Sequence, residues 1–291
     1  MSSSSAHVHR LPDGRALGYA EFGQAGGSPL VFCHGFPSSR LGGALLDADA
    51  RALGVRVIAP DRPGHGLSDF KRWRRVAHWA ADVASLADAL DLDRFVVLGV
   101  STGGPYAAAC AALLPLRVRA AGIASGWAPP NAPKTKPGAR LPFVPALGRH
   151  VRLLRRFSLS RAAKRLATDG LKAVEKVTRD APAVDRAAVA DEALRRALVD
   201  DMREAFRQGA RGPARDARIV SRRWGFKPEE IRVPVWLWHG QEDRNVPPAL
   251  ARFLSERIPG SRTTFYRADG HLSTFVGHVS EILGALVAGS G

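Results

Sequence analysis

Short, mostly apolar runs of five or six residues, bounded by Gly, Pro or Asp, recur along the chain at 29–33, 55–59, 95–100, 120–124, 233–238 and 262–266. Most are continuous rather than alternating, as in strands buried on both faces. Between them, stretches with helical spacing of apolar positions cover 41–53, 76–90, 102–114, 248–257 and 271–287. Strands and helices in alternation predict an α/β fold: a mostly parallel central sheet with helices on both faces and ligands at the C-terminal strand ends. Residues 8–22, with a turn at Pro12-Asp13-Gly14-Arg15, predict an edge hairpin.

The alternation stops after Trp127. From 131 to 230 the chain is rich in Ala, Arg, Leu and Asp, opens with several prolines and shows no convincing strand. An inserted all-helical segment is expected there, with residues 1–130 and 231–291 forming the α/β core.

Five positions carry recognisable chemistry. Gly99-Val100-Ser101-Thr102-Gly103 fits G-x-S-x-G, directly after one strand and before a helix. In such an elbow the flanking residues must be small for two chain segments to approach, and the helix N-terminus favours developing negative charge. Ser101 is therefore the candidate nucleophile. A serine needs a base, and the base an orienting carboxylate. Asp243 follows the strand ending at Trp238-His239, and His271 follows the next strand. Glu242 would point away from its neighbour, and Asp269, two residues from His271, would need a tight fold back, so Asp243 is the expected acid. Backbone N–H groups of Thr102 and Phe36 are the candidate oxyanion donors. His34, in His34-Gly35 after a buried strand, reads as a structural ring pinning its loop. Trp127 and Leu272, apolar and adjacent to the motifs, are candidate substrate contacts.

These residues, with Asp61-Arg62-Pro63-Gly64-His65-Gly66-Leu67-Ser68 and Gly240 to Asp243, occur in an order that resembles the α/β-hydrolase fold family over nearly the whole chain. The resemblance implies a Ser101, Asp243, His271 triad, an oxyanion hole at Phe36 and Thr102, and a helical lid over the site. It assigns the 61–68 segment a structural turn. Relatives with Asp as nucleophile, the haloalkane dehalogenases and epoxide hydrolases, are set aside because position 101 is Ser. The expected activity is that of a serine hydrolase of small to medium carboxylic esters, needing no metal or organic cofactor. Rival readings are a same-fold enzyme on another bond (aminopeptidase, lactonase, C–C hydrolase, perhydrolase) and a ligand-binding member with little turnover.

Composition changes this picture little until charge is considered. A chain of 291 residues can bury a full core without disulfides, and its two cysteines, Cys33 and Cys110, show no C-x-x-C spacing, which fits a reducing cytoplasm. The N-terminus lacks a secretory pattern, and the longest apolar run, 106–116, is too short to span a membrane. The formal net charge is +16, and most of the excess lies in 131–230, where basic residues outnumber acidic ones two to one. Arg149, Arg152 and Arg156 share a predicted helix face, followed by Arg161, Lys164 and Arg165. A solvated face is the plainer account; attraction of anionic substrates or weak contact with an anionic surface is the functional one. Nucleic-acid binding is not expected, since the stretch lacks interleaved aromatics and a recognition motif. An aminopeptidase is disfavoured too, because its lid would need an acid to hold the substrate ammonium.

Overall fold

The computed structural model describes residues 6–132 and 148–289, with backbone alone for 148–156 and 177. Strands β1 (Ala6–Arg10) and β2 (Ala16–Gly23) form the predicted hairpin. Then come β3 (Ser28–Cys33), a tight turn Arg40–Leu46, α1 (Asp47–Ala52), β4 (Val55–Pro60), α2 (His78–Ala89), β5 (Phe95–Val100), α3 (Gly104–Leu113) and β6 (Val118–Ala124). Helices α4 (Gly148–Thr178), α5 (Ala183–Ala188), α6 (Glu192–Ala205) and α7 (Arg211–Ile219) follow as the helical insertion. The core resumes with β7 (Val235–Gly240), α8 (Pro248–Arg257), β8 (Arg262–Tyr266), α9 (Ser273–Val276) and α10 (Val279–Ala288).

The eight strands lie in the order β1-β2-β4-β3-β5-β6-β7-β8; the first two join antiparallel and the rest run parallel. One face packs Trp79, Val83, Tyr106 and Leu254 against Val31, Val97 and Leu237. The opposite face packs Ala50, Ile282, Leu283 and Leu286 against Val57, Leu98 and Trp238. Burial on both sides explains the continuous apolar runs, each large aliphatic side chain contributing roughly 1.5–3 kcal/mol.

Three predicted boundaries differ for physical reasons. The strand expected at 233–238 is Val235–Gly240, because Pro234 has no N–H for the ladder. The helix expected at 41–53 is a tight turn followed by the short α1; Gly43 lies so close to Phe22 that a Cβ would meet its ring at 2.7 Å. The helix expected at 271–287 is two helices, parted at Gly277 and His278, where His278 leaves helical geometry to stack on Tyr266 at 3.7 Å and bond Asp269 at 2.6 Å.

The insertion has its own apolar clusters. Leu159, Leu166, Phe206 and Ala210 pack together with Phe36 against them, and Val174, Val189 and Val199 pack with Leu272. Helix α4 breaks at Asp169, whose backbone is non-helical. Residues 161, 164 and 165 are partly or fully exposed, and the side chains of Arg149, Arg152 and Arg156 lie outside the described residues.

Candidate active site

Ser101 sits at the C-terminal end of β5 with φ 55°, the left-handed region that a residue with a side chain seldom adopts. Close packing forces the glycines beside it. A Cβ on Gly99 would lie 2.4 Å from the Gly103 carbonyl, and one on Gly103 1.9 Å from the Cys33 carbonyl. The β3 loop therefore runs against the elbow: a Cβ on Gly35 would stand 3.7 Å from that of Ser101. This brings the Gly35-Phe36 backbone alongside the serine, with Thr102 opening the turn into α3.

His271 comes from the loop after β8 and Asp243 from the loop after β7. Ser101 Oγ lies 3.0 Å from His271 Nε2, and His271 Nδ1 lies 2.8 Å from Asp243 Oδ2. With Nδ1 as donor to the carboxylate, Nε2 is left to accept from the serine hydroxyl. The Asp243 carboxylate is buried, and its Oδ1 accepts from the Asn245 and Val246 amides at 2.8 Å each. Burial alone would raise its carboxyl, but the charge and hydrogen bonds of His271 and His239 outweigh it and hold Asp243 well below the usual carboxylate range. Burial pushes His271 down, yet Asp243 and, more weakly, Asp185 leave its imidazole above its ordinary value.

The competing groups are placed elsewhere. Glu242 is exposed, and Asp269 bonds His278. His34 has both ring nitrogens on the backbone, Nε2 accepting from the Arg62 amide at 3.1 Å and Nδ1 3.0 Å from the Gly35 carbonyl, and burial holds it well below the ordinary histidine value. Trp127 packs its ring on the large core cluster, while its amide donates to the Ser101 carbonyl at 3.3 Å. Leu272 packs on the insertion.

Several residues around the site carry no sequence signal of their role. His239 Nε2 lies 2.8 Å from the Val246 carbonyl and 3.3 Å from Asp243 Oδ2, so the same carboxylate oxygen faces two histidines. Asp185, Asp201 and Asp216 of the insertion bond directly to the core. Asp185 accepts from the His271 and Ser273 amides at 2.8 and 2.9 Å. Asp201 accepts from the Ser39 amide and hydroxyl at 2.8 and 2.7 Å; burial and the nearby Asp61 push its carboxyl up to about 6 against the bonds from Ser38 and Ser39. Asp216 takes Arg62 at 2.9 Å, Arg74 at 2.8 Å and the Tyr106 hydroxyl, all fully or nearly fully buried. Arg62 in turn donates to the carbonyls of His34 and, at 2.7 Å, Gly35, the residue before Phe36. Neutral Gln208 joins the same seam, bonding the Gly66 and Ser68 carbonyls at 2.8 Å.

Chemically, the arrangement offers a hydroxyl with a proton acceptor aligned on it, a buried carboxylate for the resulting imidazolium, and main-chain amides at a helix start. Among the described residues no cluster of three or more His, Cys, Asp or Glu could hold a metal ion, and no helix is long and apolar enough to cross a membrane.

Comparison with known proteins shows the family of the chain. A non-heme chloroperoxidase of Streptomyces lividans is 44% identical over 98 residues, 32% of this chain and 34% of the relative. The chain thus spans about a third of that relative's length. A 2-hydroxy-6-oxo-2,4-heptadienoate hydrolase of Pseudomonas putida is 28% identical over 231 residues, 74% of this chain and 71% of the relative. Among solved structures, a Rhodococcus esterase superposes with a TM-score of 0.71 over 98% of this chain and 99% of its own; at 22% identity this is a likeness of fold. Residues 28–277 match the family described as the alpha/beta hydrolase fold. With its elbow, strand order and inserted helices, the chain belongs to the alpha/beta hydrolase fold family.

Proposed function

We propose that the protein is a serine hydrolase that cleaves small to medium carboxylic esters through an acyl-enzyme. The observation that carries this reading is the hydrogen-bonded line from Ser101 Oγ to His271 to Asp243, starting at a residue held in the left-handed elbow. Ser101 Oγ attacks the acyl carbon as His271 Nε2 takes its proton; the oxyanion is received by the amides of Thr102 and Phe36. Collapse expels the alcohol, which receives the proton from His271. Water, deprotonated by the same imidazole, then cleaves the acyl-enzyme and regenerates Ser101. Asp243 stays ionised throughout, consistent with its lowered carboxyl. The helical insertion acts as a cap: Phe36 and Leu272 reach into its apolar clusters and bring an apolar surface to the site where an acyl chain would lie.

Hydrolysis of p-nitrophenyl esters from acetate to palmitate, with wild type and Ser101→Ala in parallel, tests this reading. Wild-type turnover abolished in Ser101→Ala, with loss of fluorophosphonate labelling, is the expected result; labelling that persists in Ser101→Ala removes the nucleophile. One alternative has its own support. The Pseudomonas relative, similar over 74% of this chain, is named for a dienoate substrate, and the cap is basic. Hydrolysis of such a keto acid, with no ester turnover, would select that reading.

A further inference from the structure

We propose that Asp185, carried by α5 of the insertion, is a positioning residue for His271 and the second buried carboxylate serving the imidazolium formed during turnover. The inference rests on the serine-hydrolase reading of the same site. Asp185 is 2% exposed, and no arginine or lysine among the described residues pairs with it. Its partners are all on the loop that bears the base. Oδ2 accepts from the His271 amide at 2.8 Å; Oδ1 accepts from the Ser273 amide at 2.9 Å and its hydroxyl at 2.7 Å. The Ser273 oxygen also accepts from the Gly270 amide at 2.8 Å, so one carboxylate orders the amides of 270, 271 and 273 directly or through one hydroxyl.

The fit excludes a side chain at 270, where a Cβ would come within 2.4 Å of Asp185 Oδ2. On the other side, the Ser125 hydroxyl donates to the His271 carbonyl at 3.3 Å. The main chain of His271 is thus held at both polar groups, while Asp243 holds its ring. A buried anion without a fixed cation is costly unless its donors are complete or a positive charge forms nearby. Asp185 has three donors, and the nearby charge that forms is His271 after it takes the serine proton. The charged groups facing His271 are Asp243 from the β7–α8 loop and Asp185 from α5, and both raise its imidazole.

Asp185→Asn keeps the shape, removes the charge and sets an amide donor against a backbone donor. We expect kcat for p-nitrophenyl acetate to fall about tenfold or more, as for loss of a hydrogen bond to a charged group, with KM nearly unchanged. The acid limb of the kcat/KM profile should move to lower pH. Gln208→Ala removes a neutral side chain that ties the insertion to the Gly66 and Ser68 carbonyls and should leave that limb in place. Coincident acid limbs in wild type and Asp185→Asn, or an equal displacement in Gln208→Ala, overturns the assignment. If Asp185→Asn does not fold, Ser273→Ala removes one donor from the same loop; kcat lowered several-fold at constant KM is expected, and unchanged kcat overturns it. A wild type unreactive towards fluorophosphonate defeats the serine-hydrolase reading instead. The ring-proton NMR titration of His271, displaced or not by Asp185→Asn, then still decides the role of Asp185.

Discussion

Asp216→Asn tests the seam between insertion and core most severely. In the native chain one fully buried carboxylate accepts from Arg62 at 2.9 Å and Arg74 at 2.8 Å and from the Tyr106 hydroxyl. Burial opposes its ionisation, but Arg62 and Arg74 more than offset this and hold it far below the ordinary aspartate value of 3.8. The asparagine amide would turn an N–H toward one guanidinium and leave two buried cations uncompensated. Breaking a buried pair in this way costs about 3–5 kcal/mol. At roughly 2 °C per kcal/mol for a chain of this size, the unfolding midpoint should drop about 6–10 °C at pH 7. Because the folded carboxyl is depressed, its contribution is fully present above 3.8 and disappears only as pH falls below that value. The deficit of the variant should therefore be constant across neutral pH and shrink only in strong acid. Thermal unfolding followed by circular dichroism at pH 7, 5 and 3 reads both features. A midpoint within about 2 °C of wild type at pH 7, equivalent to about 1 kcal/mol, would show that the pairs contribute little beyond their desolvation.

Three further outcomes are expected. As the proposed general base, His271 would work neutral, and its imidazole lies above its ordinary 6.5, so kcat/KM for a neutral ester should rise with pH through a midpoint above 6.5; a plateau already complete at pH 6 would contradict the assignment. Asp201, pushed up to about 6 from 3.8, stabilises the fold fully below 3.8 and loses that contribution as pH rises through 6, roughly 3 kcal/mol in all. The stability of Asp201→Asn relative to wild type should therefore grow between pH 4 and 6 and then level, whereas a difference independent of pH refutes the shift. If the basic insertion attracts anionic substrates, kcat/KM for an anionic ester should fall with added salt more steeply than for a neutral one; parallel curves assign the arginines to a solvated face.

The fold was legible because burial on both faces of a parallel sheet writes itself as apolar runs. The run at 95–100 matches the buried β5 to the residue; 262–266 matches β8 as well, although that edge strand is only partly covered. The candidate line of Ser101, His271 and Asp243 was legible because each follows a strand end, where topology brings loops together. The insertion's acids were not. Asp200 and Asp201 are adjacent in sequence, yet the side chain of the first is 68% exposed and the second is buried against Ser39. Asp185 precedes Arg186, and Asp216 follows Arg215, so each reads as half of a surface pair. Only the contact of helix with loop distinguishes them, and that information lies in tertiary structure. The concentration of positive charge drew attention to the arginines, while several of the insertion's hydrogen bonds to the core come from carboxylates and one amide. His239 was hidden differently, as one more residue of a buried strand.

The partnership of Asp185 with the His271 loop also sets an order of events during synthesis. The two residues stand 86 positions apart, so the acid leaves the ribosome well before its donors. At several residues per second, α5 waits for seconds with an unmatched carboxylate. During that interval its apolar neighbours Val174 and Val189 lack Leu272 as well. A nascent or truncated chain ending before 271 therefore carries an insertion that has no firm seat on one side. Residues 271–273 supply that seat, so the insertion and the end of the chain are stable together or not at all on this side.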